Sequence, residues 1–369
     1  MRAAIFEKQG FDNLHVKNDV QTPRVSDYDV LIKVIVAGVN PIDYYVISGY
    51  RTLQYQQKDN DPKQLKYQKP PLKSELPVNP LPHVPGAEFA GVIEKTGSHV
   101  RNLKQGDRVV IYNRFFDNTC DMCVSGNEML CRKGGLIGVN NDGGFSEHVC
   151  LPENNIFKIP DNIDWNTSVS LPVSGLTAFH ALKEAQLKFN DYLLVFGASG
   201  NTGMFAVQLG KRIGSKVIAI SKKKWVKEEC GADYLITDYN HIIEDVKKIT
   251  NEKMADVVIS SLGKDTWKNS FSSIGINGRW ISFGTMTGSK VELNIQELYS
   301  KQLKLIGSTG GNREEFRELI EFVSYSNEIS NPLKIKVWKR FNLEDINKAF
   351  ESLVDKEREG RILLDINKD

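Results

Sequence analysis

The sequence lacks any long apolar run. A membrane-spanning helix needs about 18 or more consecutive apolar residues, and the best candidate, residues 30–39, is interrupted by Lys33. The first eight residues already include Arg2, Glu7 and Lys8, which leaves no room for the apolar core of a secretion signal. These absences predict a cytoplasmic protein with no membrane partner.

A large excess of either charge is also missing. The chain has 48 Lys and Arg against 46 Asp and Glu, a formal net charge of +2, whereas a nucleic-acid binder normally carries a basic surplus or stripe. Nucleic acid is therefore not expected as a partner. Hydrophobic residues make up 40% and charged residues 25% of the 369 positions, which excludes disordered, collagen-like and coiled-coil chains. This length predicts two domains.

Cysteine is scarce, and three of the five cysteines are clustered. Cys120, Cys123 and Cys131 supply three thiols, and Asp117 stands three residues before Cys120. A closed tetrahedral zinc site takes four Cys, His or carboxylate ligands and is structural because it keeps no position for water. The spacing predicts one structural zinc held by these four residues. The alternative is a group of thiols in a metal-free loop.

The hydrophobic pattern changes along the chain. Residues 1–160 contain short β-rich runs, whereas from about Trp165 helix-length segments alternate with short, fully apolar strands. Such alternation is typical of an α/β fold with a doubly wound parallel sheet. We expect a β-rich domain that comprises residues 1–163 and the tail 309–369, and a nucleotide-binding domain over 164–308. Residues 52–79 show no period and predict an insertion, either solvated or disordered, or else a lid or a subunit contact.

A glycine-rich turn follows the apolar run at 193–196 and precedes a helical pattern at 204–213. Glycines allow the backbone to approach a pyrophosphate, and the N-terminus of a helix attracts anions. The spacing is G-x-x-G-x-x-G instead of the common G-x-G-x-x-G. The strand–turn–helix context nevertheless favours dinucleotide binding over a merely structural turn. The predicted contact residues are Gly197, Ala198, Ser199, Gly200, Asn201, Thr202 and Gly203.

The next apolar strand, 216–220, ends without a carboxylate. An NAD site places Asp or Glu there to bind the ribose 2′-hydroxyl, but here Ser221 is followed by Lys222, Lys223 and Lys224. Ammonium groups attract a 2′-phosphate. We therefore expect NADP(H), bound by Ser221, Lys222 and Lys224, with a solvated turn as the alternative.

The order of these features resembles the medium-chain dehydrogenase/reductase superfamily. Four runs carry the resemblance, namely residues 37–43 (AGVNPID), 85–91 (PGAEFAG), 176–179 (LTAF) and 307–309 (GST). The match spans nearly the whole chain except the insertion at 52–79. The resemblance implies a GroES-like catalytic domain, a Rossmann NADP(H)-binding domain and a homodimer or homotetramer. It also implies cofactor contacts from Thr177, Gly284 and Ser308.

Three positions depart from the zinc alcohol dehydrogenases that this superfamily contains. Their catalytic metal is held at the positions that correspond to Asn40, Ala87 and Val173, and none of these residues is an ordinary zinc ligand. Ile42 also stands where a proton-relay hydroxyl is expected. The residues around Asn40 resemble instead the quinone-oxidoreductase branch, which has no catalytic zinc.

The resemblance implies NADPH-dependent reduction of an activated C=C bond or a quinone, with a small carbonyl compound or quinone as the substrate. Hydride addition produces an enolate or phenolate, which placed donors can stabilise. The candidates are the Asn40 amide and the Tyr45 hydroxyl, although Tyr45 is equally well explained as a packing residue. Asp43 and Glu88 are expected to pair with Arg361, and His83 is expected at the surface or as a cap.

Two other functions stay open at this point. One is a zinc alcohol dehydrogenase with rearranged ligands such as Asp43 and Glu88. The other is a cofactor-binding protein that has lost catalysis, because loss of the metal ligands would leave the same pattern.

Overall fold

The computed structural model describes residues 1–49 and 81–367, so the predicted insertion at 52–79 lies outside the described residues. The chain divides into two compact units. The first contains Met1–Pro172 and Lys336–Asp369, and the second contains Val173–Ile335. Among the described residues, no helix has the length and apolar character that crossing a membrane requires.

The strands are β1 Ala3–Phe6, β2 Leu14–Lys17, β3 Asp29–Gly38, β4 Phe89–Thr96, β5 Arg108–Ile111, β6 Arg114–Phe115, β7 Gly135–Leu136, β8 His148–Pro152, β9 Ile156–Lys158, β10 Tyr192–Phe196, β11 Lys216–Ile220, β12 Tyr234–Ile236, β13 Ala255–Ser260, β14 Ile274–Ser282, β15 Lys304–Gly307, β16 Val337–Asn342 and β17 Arg361–Asp365.

The α-helices are α1 Pro41–Ser48, α2 Asp121–Val124, α3 Trp165–Ser170, α4 Leu176–Glu184, α5 Asn201–Ile213, α6 Trp225–Glu228, α7 Ile242–Ile249, α8 Lys264–Ser272, α9 Ile295–Ser300, α10 Arg313–Glu328 and α11 Ile346–Leu353. A π-helical turn, Leu171–Gly175, precedes α4. Short 3₁₀ turns cover Phe11–Asn13, Glu128–Leu130, Glu153–Asn155 and Leu343–Asp345.

The first unit is built on a seven-stranded sheet. Its strands follow the order β16-β17-β3-β4-β5-β9, and β8 pairs with β3. The pairings are antiparallel except that between β16 and β17. Strand β3 is buried along most of its ten residues, which explains its nearly continuous apolar sequence. The C-terminal strand β17 lies beside it and places Leu363 opposite Gly38.

The second unit contains a six-stranded parallel sheet in the order β12-β11-β10-β13-β14-β15. The chain starts at β10, adds strands on one side and then returns to add strands on the other. The strand order therefore reverses between β10 and β13, and ligands of such sheets bind at the carboxyl ends of the strands at this point. Buried residues on successive positions of β10 and β13 confirm the predicted doubly wound sheet.

The division between the units differs from the predicted one at both junctions. Helix α3 packs on β3 and β4, so residues 164–172 lie in the first unit. Helix α10 packs on α4 through buried residues that include Phe316 and Leu319. The tail therefore joins the first unit from Lys336 and not from residue 309, because the apolar face of α10 is buried within the second unit.

Candidate functional site

The glycine-rich turn lies between β10 and α5. Gly197 has φ 68°, a left-handed conformation that favours glycine, and Gly200 occupies the N-cap position of α5. A Cβ atom at position 203 would overlap the carbonyl oxygen of Gly197. The first amides of a helix have no partner within the helix. In α5 the corresponding amides, among them those of Thr202 and Gly203, lie at a helix N-terminus, the kind of position that binds an anionic phosphate.

The lysine-rich segment follows β11. Ser221 is buried, and its hydroxyl accepts a hydrogen bond from the backbone N–H of Lys223 at 3.1 Å. Lys222 and Lys224 are exposed. The ammonium group of Lys222 lies 5.5 Å from the centre of the Tyr239 ring, which restricts where this charge is held. Tyr239 was missed by the sequence reasoning, because only the neighbouring strand β12 brings it beside Lys222.

Three further predicted cofactor residues lie on other elements of the second unit. Thr177 is the second residue of α4. Gly284 and Ser308 follow β14 and β15, which are adjacent parallel strands, and the backbone N–H of Ser308 donates to Ser282 O at 2.8 Å. Both residues therefore lie at the same edge of the sheet as the glycine-rich turn.

The buried side chain of Asp43 forms hydrogen bonds at the N-terminus of α1 in the first unit. Asn40 and Asp43 form a capping box, in which Asp43 Oδ2 accepts the Asn40 backbone N–H at 2.9 Å. The other oxygen, Oδ1, accepts the Ala87 N–H at 2.8 Å. Burial raises the pKa of Asp43 from 3.8 to about 7. Because this pKa is raised, stability is lost as the pH rises from about 4 through about 7 and Asp43 ionises in the folded protein.

The side chain of Asn40 is buried in the first unit and forms its hydrogen bonds there. Its side chain is 1% exposed, and its amide group donates to Glu88 Oε2 at 2.8 Å and to Gly38 O at 3.3 Å. The two amide hydrogens are thus directed at protein acceptors. Asn40 does not present an N–H to a ligand in this arrangement, so the donor role expected from the sequence requires these bonds to be exchanged.

Glu88 also contacts the Arg361 guanidinium, which confirms the predicted pairing for Glu88. For Asp43 the prediction was wrong, because its two oxygens accept backbone N–H groups instead. The side chains of Glu88 and Arg361 are completely buried. A Cβ at Gly38 would lie 2.5 Å from Arg361 Nη2 and 2.6 Å from Glu88 Oε2, so glycine is required beside the pair. We call Asn40, Asp43, Glu88 and Arg361 the buried polar cluster.

Tyr45 lies one turn beyond the N-terminus of α1 and is half-buried. Its ring meets that of Tyr44 edge to face, with the centres 6.5 Å apart. Tyr44 in turn packs on Phe11, with the ring centres 4.9 Å apart. Of the two predicted donors, Tyr45 is the less buried side chain.

The predicted metal lobe brings its four residues together. Ligand atoms of Asp117, Cys120, Cys123 and Cys131 all lie within 4.8 Å of one another. Asp117 Oδ1 accepts the backbone N–H groups of Thr119 and Cys120 at 2.9 and 3.0 Å, which lowers the Asp117 pKa.

The second oxygen of Asp117, Oδ2, is buried and has no hydrogen-bond partner within the described part of the chain. Such an atom is costly unless a cation satisfies it. The donor set of three thiols and one carboxylate therefore fits a tetrahedral zinc ion. Within residues 1–49 and 81–367, this is the one group of three or more His, Cys, Asp or Glu residues arranged to hold a metal.

His83 departs from the expectation that it lies at the surface. It is fully buried, and its ring nitrogens face Gly138 O at 3.0 Å and Asp142 Oδ1 at 3.2 Å. The backbone of His83 pairs with Phe6 of β1. This long-range pairing leaves no periodic signal in the sequence near His83, so burial could not be predicted.

A β-rich unit followed by a parallel-sheet unit with a glycine-rich turn at its switch point is an architecture typical of two-domain, nucleotide-dependent oxidoreductases. Two family models match the chain. The alcohol dehydrogenase GroES-like domain matches residues 26–161, and the zinc-binding dehydrogenase model matches residues 202–325.

Individual relatives match along nearly the full length. An NAD-dependent alcohol dehydrogenase of Sulfolobus acidocaldarius is 30% identical over 99% of this chain and 100% of its own. Human quinone oxidoreductase is 27% identical over 96% of this chain and 94% of its own. The structure of a thermostable alcohol dehydrogenase from Pyrobaculum aerophilum superposes with a TM-score of 0.82, at 32% identity and 99% coverage of both chains. The chain belongs to the medium-chain dehydrogenase/reductase superfamily of zinc-type alcohol dehydrogenase-like oxidoreductases.

Proposed function

We propose that this oxidoreductase uses NADPH to reduce an activated C=C bond or a quinone, without a catalytic zinc. The supporting observation is the state of the residues at the former metal positions. Asn40 donates its amide hydrogens to Glu88 and Gly38, and Ala87 offers only a methyl group. Val173, at the third position, has no ligand atom either.

The remaining carboxylates near these positions are not available as substitute ligands. Both oxygens of Asp43 accept backbone N–H groups, and Glu88 pairs with Arg361. Binding a metal here would leave Arg361 as an uncompensated buried charge, which is strongly destabilising. This observation weighs against an alcohol dehydrogenase with rearranged ligands.

The reaction type follows from what the chain can stabilise. Alcohol oxidation at neutral pH needs an alkoxide, which zinc generates by lowering the pKa of a bound hydroxyl. Hydride addition to an enone or quinone produces a delocalised anion, for which hydrogen-bond donors suffice. We propose that Tyr45 is the principal donor and that Asn40 maintains the buried polar cluster.

We propose that the second unit binds NADPH, which supplies the hydride when it is bound. The helix α5 amides would hold the pyrophosphate, and Lys222 and Lys224 would hold the 2′-phosphate. Thr177, Gly284 and Ser308 would contribute further contacts. In the first unit, Asp117, Cys120, Cys123 and Cys131 would hold one structural zinc. A homodimer or homotetramer stays a prediction from the family resemblance.

Alcohol oxidation is the competing activity, because several of the matched relatives are alcohol dehydrogenases. Purified protein should oxidise NADPH with small enones or quinones and should not reduce NADP with simple primary or secondary alcohols. Metal analysis of the same preparation should give about one zinc per chain, since the lobe has one set of ligands. Alcohol oxidation that EDTA abolishes without unfolding the protein, or two zinc ions per chain, would contradict the proposal. Cofactor binding without turnover of any substrate would instead favour a protein that has lost catalysis.

Cofactor choice is tested at the lysines after β11. Changing Lys222, Lys223 and Lys224 together to Ala should weaken NADPH binding by about 1–3 kcal/mol, the range for charge-assisted phosphate contacts, and should leave NADH binding unchanged. Fluorescence titration with both cofactors measures the two Kd values. The matched control changes Lys247, Lys248 and Lys253, which are exposed lysines of the same unit. Equal loss of NADPH affinity in both triple variants would indicate that residues 222–224 form a solvated turn that does not bind the 2′-phosphate.

A further inference from the structure

A buried hydrogen bond connects two segments of the second unit that are 135 positions apart. His180 of α4 and Glu315 of α10 are 5% and 6% exposed, and His180 Nδ1 lies 2.8 Å from Glu315 Oε2. The interaction with His180 helps to lower the pKa of Glu315, so its carboxylate is charged. Lys183, on the next turn of α4, lies 3.7 Å from the other oxygen.

Glu315 also fixes the point at which the preceding loop becomes a helix. The backbone N–H of Asn312 donates to Glu315 Oε2 at 3.0 Å, and the Glu315 N–H donates to Asn312 Oδ1 at 2.8 Å. This is a capping box. One carboxylate oxygen therefore binds both the start of α10 and the side of α4.

The loop backbone lies directly against this junction. A Cβ at Gly311 would lie 2.7 Å from Leu176 Cδ1 and 2.9 Å from Glu315 Oε2. Such close approach is possible only for glycine. Leu176 is the first residue of α4 and precedes Thr177, while His180 follows Thr177 by three positions, a neighbour on the helix surface.

The other end of the loop is Ser308, which is held to β14 by its hydrogen bond to Ser282 O. The residues expected to contact the cofactor thus stand on both sides of the junction. Thr177 is on α4, and Ser308 begins the loop that ends at Asn312, the N-cap of α10. Between them, Gly311 packs against Leu176 at the first turn of α4.

We propose that His180 and Glu315 are positioning residues for nicotinamide cofactor binding. They hold the loop 308–312 against α4, so that Thr177 and Ser308 keep the arrangement that the cofactor requires. Both side chains are buried, so they act through these two residues. This inference rests on the proposed function, because it takes Thr177 and Ser308 as cofactor contacts.

The test compares three variants with the wild-type protein. His180→Leu removes the ring hydrogen bond, His180→Gln keeps a donor, and Val246→Ala removes methyl groups from a fully buried position on α7 as a control for general destabilisation. We expect His180→Leu to raise the Kd and KM for NADPH by about 10-fold or more and to change kcat by less than about 2-fold, since small misplacements of binding groups have large effects. His180→Gln should recover most of the affinity. Val246→Ala should lower Tm without changing Kd.

Equal Kd values for His180→Leu and Val246→Ala would overturn the positioning role and leave the proposed function intact. A change in kcat alone would overturn it as well. A wild-type protein that binds neither NADPH nor NADH would overturn the proposed function together with this inference. If His180→Leu does not fold, His180→Phe carries the same test, because it keeps a planar ring at this position and removes the ring nitrogen that contacts Glu315.

Discussion

Changing Arg361 to Met is expected to lower the free energy of unfolding of the first unit by about 3–5 kcal/mol, the usual cost of leaving a buried charge without its partner. Arg361 and Glu88 are both fully buried, and Glu88 lies close enough to Asp43 for its charge to raise the Asp43 pKa further. Without the Arg361 guanidinium, the buried carboxyl groups of Asp43 and Glu88 lie close together with no cation to balance the charge of Glu88. Urea denaturation followed by circular dichroism measures the loss.

The control is Arg340→Met. Arg340 pairs with Asp365 on the neighbouring strand, but both side chains are about 40% exposed, and exposed pairs contribute about 0–1 kcal/mol. The double variant Arg361→Met/Glu88→Gln should be more stable than Arg361→Met alone, because it also removes the unpaired charge. Equal losses in the Arg361 and Arg340 variants would show that the buried pair contributes no more than a surface pair.

Changing Tyr45 to Phe is expected to lower kcat/KM for an enone or quinone by about 10- to 1,000-fold, the range for losing one donor to a developing anion. The hydroxyl is the only group removed, and the ring that packs against Tyr44 remains. Steady-state assays with NADPH measure the change. Protein stability should stay within about 0.5 kcal/mol of the wild-type value, as for most substitutions outside the core.

Tyr44→Phe is the matched control, because it removes the same group from the adjacent half-buried ring and keeps the packing on Phe11. Its kcat/KM should change by less than about 2-fold. Asn40→Ala should behave differently from both, with a clear loss of stability, because the amide supports Glu88 and Gly38. Similar activity in the two tyrosine variants would leave Tyr45 as a packing residue.

The parallel sheet was predictable because its strands are buried on both faces. Strands β10 and β11 end where the apolar runs end, at Phe196 and Ile220. The grouping of Asp117, Cys120, Cys123 and Cys131 was predictable because these residues are close in sequence. Such short-range patterns can be recognised in the sequence without knowledge of the fold.

The features that were missed depend on distant segments. Tyr239 becomes relevant only because β12 pairs with β11, and the boundary at Lys336 depends on α10 packing against α4. The commitment of the Asn40 amide to Glu88 joins residues 48 positions apart. Sequence patterns identified Asn40 as polar and near the site, but only the three-dimensional contacts show that its donors are already used.

The placement of β17 in the interior of the first sheet has a consequence for synthesis on the ribosome. Strand β17 lies between β16 and β3, and it carries the Arg361 counter-charge for Glu88. The first unit can therefore complete this sheet only after β17 has been synthesised, and until then residues 36–38 of β3 lack that partner, whereas residues 29–33 can already pair with β8. Residues 173–335 are contiguous and can complete their fold earlier. Although N-terminal domains usually fold first during translation, we expect the contiguous unit to complete its fold before the first unit does.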